Sequence, residues 1–190
     1  MYKKSNYILL ILSFCFFGCK KSENYSEVRK TLEKVLEDDQ KFRQPNFDYV
    51  KQNLLDRKNT KIVTKIIDSL GWLGEDKIGH DANLALFVVF QHTQELSTRE
   101  KYLQVMKKAV KTGNADKRQL AYMIDRDELL NHRKQIYGTQ YSINKNGSAF
   151  IENLIDPANI NKRRKSMNLY PLEDYLKKID SSNKVNNSNR

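Results

Sequence analysis

Ala82-Asn83-Leu84-Ala85-Leu86-Phe87-Val88-Val89-Phe90, followed by Gln91-His92, is the stretch that decides the fold. One polar side chain in nine residues leaves no wet stripe at helical spacing. The segment therefore reads as a helix buried on every side, not as an amphipathic surface helix. Such a helix needs neighbours all round, and the flanking sequence supplies them. Val28, Leu32, Val35, Leu36 and Phe42 recur at helical spacing and predict a first helix from Ser26 to about Arg43. Gln44-Pro45-Asn46 interrupts it. Val50, Leu54 and Leu55 predict a short second helix, and Ile62, Val63, Ile66, Ile67 and Leu70 a third, capped near Asn59-Thr60 and stopped by Gly71.

A glycine-punctuated loop over residues 71–79 carries the only tryptophan, Trp72. Beyond the central stretch, Ser97-Thr98-Arg99-Glu100 has the form of a capping box ahead of the stripe Tyr102, Leu103, Met106 and Val110. Leu120, Ala121, Met123 and Ile124 mark another helix from about Asp116 to Leu130. The period then changes. Residues 140–143 and 149–154, joined through Asn146-Gly147, predict a small hairpin, because Asn-Gly tolerates the positive φ of the turn. Asp156-Pro157 has the form of an N-cap and first helical residue. A last short helix is expected over residues 171–179, and the polar residues 181–190 are expected to be disordered. The expected architecture is mainly α: a single helical domain over residues 26–180 with one small β-hairpin.

The N-terminus carries a separate signal. Lys3 and Lys4 precede the apolar run from Ile8 to Phe17, which is too short for a membrane span of about 20 residues and suits a signal peptide. Gly18 offers the small residue that processing before Cys19 requires, whereas Phe14 precedes Cys15. The segment resembles the lipobox of bacterial lipoproteins. That resemblance implies loss of residues 1–18 and an acylated Cys19 at the start of a short tether, 19–25. It also implies membrane anchoring in the cell envelope, on the exported side. With Cys19 acylated and Cys15 removed, no free thiol remains for a disulfide, a metal or nucleophilic catalysis.

Lys and Arg number 34 against 23 acids, a net charge of +11. The basic residues are spread along the chain, with one block at Lys162-Arg163-Arg164-Lys165. The export signal and the lack of interleaved aromatics argue against a nucleic-acid partner. A solvated basic face is the simplest reading, compatible with attraction to anionic surfaces.

Three polar words stand out. Gln91-His92 closes the apolar run, and buried polar groups need partners. Asp125-Arg126 sits on a second mostly buried helix, with Tyr122 on the same face. Gln135-Ile136-Tyr137-Gly138-Thr139-Gln140 gathers amides, a phenol and a hydroxyl around one glycine. His92 is a candidate general base with Asp125 as its orienter. Gln91, Arg126, Gln135, Tyr137, Thr139 and Gln140 are candidate ligand contacts, Arg126 as a planar clamp for an anion. All eight are expected to converge. A satisfied core histidine, a structural ion pair and a tight turn are the alternatives.

These words in this order, with Gly71-Trp72…Gly79 and Arg163-Arg164…Leu169-Tyr170-Pro171-Leu172, resemble a bacterial domain of unknown function, the family numbered 6624, over about residues 72–176. The resemblance implies a shared helical domain and polar cluster, and no activity. The chain has no HExxH, GxSxG, GxxxxGK[ST] or GxGxxG, and its three histidines are scattered, so neither a metal nor another cofactor is implied. Three functions compete: a module binding a polar or anionic ligand, an envelope hydrolase or transferase using His92, and a purely structural lipoprotein. The domain is expected to be a monomer.

Overall fold

The first helix, α1 (Ser26–Gln40), buries Leu32 and Val35 together with Asp38 and Asp39. In the computed structural model, residues 24–43 and 46–188 are described. The signal 1–18, Cys19 and most of the tether lie outside the described residues, as do 44–45 and 189–190. After α1 come α2 (Tyr49–Leu70), the single turn α3 (Glu75–Ile78), α4 (His80–His92), α5 (Leu96–Lys111) and α6 (Lys117–Leu130). Strands β1 (Ser142–Ile143) and β2 (Ala149–Phe150) pair antiparallel, Ser142 opposite Phe150. A 3-10 turn, Pro157–Asn159, leads into α7 (Ile160–Ser166), and α8 (Leu172–Ser188) closes the chain. The fold is mainly α with one small hairpin. Among the described residues no helix is long and apolar enough to cross a membrane.

The all-round apolar α4 is the axis. It touches α1, α2, α3, α5 and α6, and Ala82, Ala85, Leu86 and Phe90 are fully buried. Phe90 stacks on Tyr102 of α5 at 4.4 Å between ring centroids, and Trp72 leans on Phe90 from the other side. The one polar residue inside the apolar run is accounted for. Asn83 donates to the carbonyls of Leu73 and Asn114, tying the glycine loop and the α5–α6 turn to the axis.

Several boundaries differ from those expected. The two predicted helices over 50–70 are one, α2, because Gln52 is buried within it along with Asn59, read as part of a cap. They donate to the carbonyls of Asp38 and Val35 and so satisfy α1. Ser97–Glu100 is no capping box: α5 starts at Leu96 after Glu95, and the Thr98 hydroxyl donates to the Glu95 carboxylate. Asp156 takes a left-handed φ of 40° and makes no side-chain cap. The hairpin strands are shorter than predicted, and α8 runs past Ile179 to Ser188, through residues expected to be disordered.

Candidate functional site

The segment 135–140 is an irregular loop, and backbone in that state must find hydrogen bonds outside a helix or sheet. Asp125, fully buried on α6, accepts from the amides of Ile136, Tyr137 and Thr139 and from the Thr139 hydroxyl, all between 2.7 and 2.9 Å. Burial still pushes its carboxyl above the ordinary value, against those four bonds. From the outer side, two arginines of α7 take the loop carbonyls. Arg163 Nε donates to Ile136 O, and Arg164 Nη1 donates to Tyr137 O and Gly138 O. Gln135 bonds Gln140 in both directions, amide to carbonyl and side-chain oxygen to amide N–H. The Tyr175 hydroxyl from α8 donates to Thr139 O at 2.7 Å. Gly138, at φ 62°, supplies the left-handed turn that lets both sets of anchors reach one short loop.

At the end of α4, His92 Nδ1 lies 2.9 and 3.0 Å from the two carboxylate oxygens of Asp39. Asp39 is buried and also accepts from Gln40 at 2.6 Å and Arg43 at 3.4 Å. Arg43 reaches on to Asp56, whose carboxylate accepts from Gln52. In its neutral form, the His92 ring facing this acceptor carries its proton on Nδ1 and leaves Nε2 as the acceptor. Nε2 has no partner among the described residues.

Arg126 stands next in the wall and differs from every cation around it. It makes no hydrogen bond and no ion pair among the described residues, and its Nε is buried without an acceptor. Burial, then the charge of Arg43, pulls its affinity for a proton below that of an ordinary guanidinium. Arg99, only 3 % exposed, donates to the Thr93 carbonyl and also has an orphaned Nε. The side-chain oxygen of Gln91 is buried and unpaired, while its amide reaches Gln140 at a long 3.5 Å.

Two clefts meet at Gln91, His92 and Arg126. The larger, about 450 Å³, continues along Gln135, Thr139 and Gln140 to the tyrosines 122, 141 and 175, with Glu152 as its one acid. The smaller, about 200 Å³, adds Arg43 and Arg99 and has no acidic lining residue. Among the described residues, no cluster of three or more His, Cys, Asp or Glu side chains is placed to hold a metal.

Of the eight residues expected to converge, Gln91, His92, Arg126, Gln135, Thr139 and Gln140 line the larger cleft. Asp125 and Tyr137 do not. Asp125 is no orienter of His92: its oxygens are spent on the loop, and the carboxylate on His92 belongs to Asp39. Tyr137 serves through its backbone, and burial raises its phenol above the ordinary value. Asp39 and Arg99 were legible in principle. Asp39 falls four residues after Val35, and Arg99 three before Tyr102, so both are charges on an apolar stripe.

A family model described as a family of unknown function, DUF6624, matches residues 27–186. The chain belongs to that family. The match is wider than the resemblance over 72–176, and it takes in α1, which carries Asp39. No curated protein and no solved structure matches the chain.

Proposed function

We propose that this is a lipid-anchored protein of the cell envelope whose cleft binds an anionic ligand at Arg126. The observation that carries the reading is the buried, unpaired Nε of Arg126 in a wall shared with His92 and Gln91. A buried Nε–H with no acceptor costs the fold about 1–3 kcal/mol unless something else meets it. An oxyanion with two oxygens in one plane matches its fork, with Gln91 beside it and Arg99 adding charge from behind. Beyond that point, the cleft offers amides, hydroxyls and tyrosine rings, which suit a polar body attached to the anion.

The anchor is a separate support. Lys3-Lys4, the short apolar run and Gly18-Cys19 favour an acylated Cys19 and a place on the exported side of a membrane. Binding is tested with inorganic phosphate and sulfate by thermal shift on the full chain. The reading expects phosphate to raise the Tm of the wild type and to leave Arg126→Lys unmoved. Equal shifts in both proteins would favour the purely structural role.

A further inference from the structure

We infer that His92 and Asp39 form a general-base pair that hydrolyses a phosphate ester held at Arg126. This step rests on the anion site proposed above and adds chemistry to it. The His92 side chain is about a quarter exposed, so the ring is open to water in the cleft. Here Nδ1 is bound to a buried carboxylate, itself held by Gln40 and Arg43, while Nε2 is left without a partner on a residue lining both clefts. An anion site alone needs cations and donors; it has no use for a ring nitrogen oriented as a proton acceptor. The two features together, acceptor and unpaired guanidinium, are what a displacement at an anionic centre requires.

A phosphate ester is the class that uses both. Its charged oxygens are the anchor, and the phosphorus they surround is the electrophile, so the Arg126 clamp also places the reacting atom. A carboxylate would satisfy Arg126 but offers no bond to break. Neither aliphatic hydroxyl of the larger cleft is set against a base as a nucleophile. The Thr139 hydroxyl donates to Asp125 and accepts from Gln140, and Ser142 makes no hydrogen bond to a base among the described residues. Water is therefore the attacking group. As its oxygen bonds to phosphorus, one proton passes to His92 Nε2 and the bond from phosphorus to the ester oxygen breaks. That oxygen takes a proton from solvent, and the imidazolium returns its own to solvent. The products are an alcohol and a phosphate with one ester link fewer, and no oxidant or reductant enters.

The test uses the full chain with p-nitrophenyl phosphate, bis(p-nitrophenyl) phosphate and the uncharged p-nitrophenyl acetate. The expected result is release of nitrophenol from at least one phosphate ester, the monoester or diester arm showing which. His92→Gln should lower kcat about 100-fold with KM little changed, the size expected for a lost general base. Arg126→Lys should raise KM. No turnover of either phosphate ester, or undiminished turnover in His92→Gln, overturns the proposal, as does hydrolysis of the acetate alone. If phosphate still raises the wild-type Tm in that case, the anion site stands and only the chemistry fails. Asp39→Asn should also slow turnover, but its buried network puts folding at risk. Wild-type protein labelled with ¹⁵N-histidine gives a second reading, simplified by a total of three histidines. His92 protonated on Nδ1 is expected in its neutral form; an Nε2–H tautomer overturns the assignment.

Discussion

At the scale of single residues, Arg126 and Arg164 show how differently a half-buried and a buried guanidinium can be used. Arg164 is 1 % exposed and spends its donors on three carbonyls, those of Tyr137, Gly138 and Tyr170. Arg126 spends none. Replacing Arg126 with Leu should therefore leave the protein as stable as the wild type or raise its Tm, since a partly buried cation with an unpaired Nε is exchanged for apolar volume. The same change should abolish phosphate binding. Arg164→Leu should instead cost about 3–5 kcal/mol by chemical denaturation, because it strands buried acceptors. Tyr175 gives a prediction in pH. Burial raises its phenol well above the ordinary value, so the folded state keeps a proton that the unfolded chain loses at about pH 10. Its contribution is complete below that pH and declines as pH rises beyond it. Wild type should thus lose stability faster than Tyr175→Phe in alkali, although the variant starts about 1 kcal/mol lower for its missing bond to Thr139. Parallel curves would contradict this. Residue identities told half of this story in advance. Gln91, His92 and Arg126 were legible because they end apolar runs, whereas Asp125 read as a partner of His92 because spacing along a helix says nothing about a loop folding back onto it.

At the scale of elements, α4 was the most legible part of the chain and α2 the least. The run from Ala82 to Phe90 has one polar interruption, and its burial follows from that alone. In α2 the buried Gln52, Asp56 and Asn59 imitate a break, since nothing local reveals that they meet the carbonyls of α1 and the side chain of Arg43. Their partners lie 13 to 24 positions away. Leu86→Asp, placing a charge on the dry axis, should cost several kcal/mol and abolish cooperative unfolding near physiological temperature. An unchanged Tm would mean α4 is not the core helix. The 135–140 loop is fastened by α6 inside and α7 outside. Asp125→Asn, which turns one acceptor into a donor facing amides, should speed hydrogen exchange at Ile136, Tyr137 and Thr139 by about 5- to 150-fold, the equivalent of about 1–3 kcal/mol of lost protection. Exchange confined to its wild-type rate would show that the loop holds without the carboxylate.

At the scale of the whole molecule, three distant stretches build one wall: the end of α1 with Asp39, the end of α4 with Gln91 and His92, and the middle of α6 with Arg126. Such convergence is invisible to periodicity, which reports faces and not neighbours. The order of the polar words pointed to the family, and the family match extends over nearly the whole helical domain. The proposed anchor makes its own prediction: cells given a fatty-acid analogue should label the wild type and not Cys19→Ala, and equal labelling would contradict lipidation there. The anion proposed at Arg126 is open to direct observation. Its binding is tested most directly by soaking crystals of the protein in a heavy oxyanion such as tungstate and locating the metal by its anomalous signal. The account predicts a peak against the Arg126 guanidinium, between Gln91 and His92. A clean map at that wall, with peaks only on surface lysines, would contradict it.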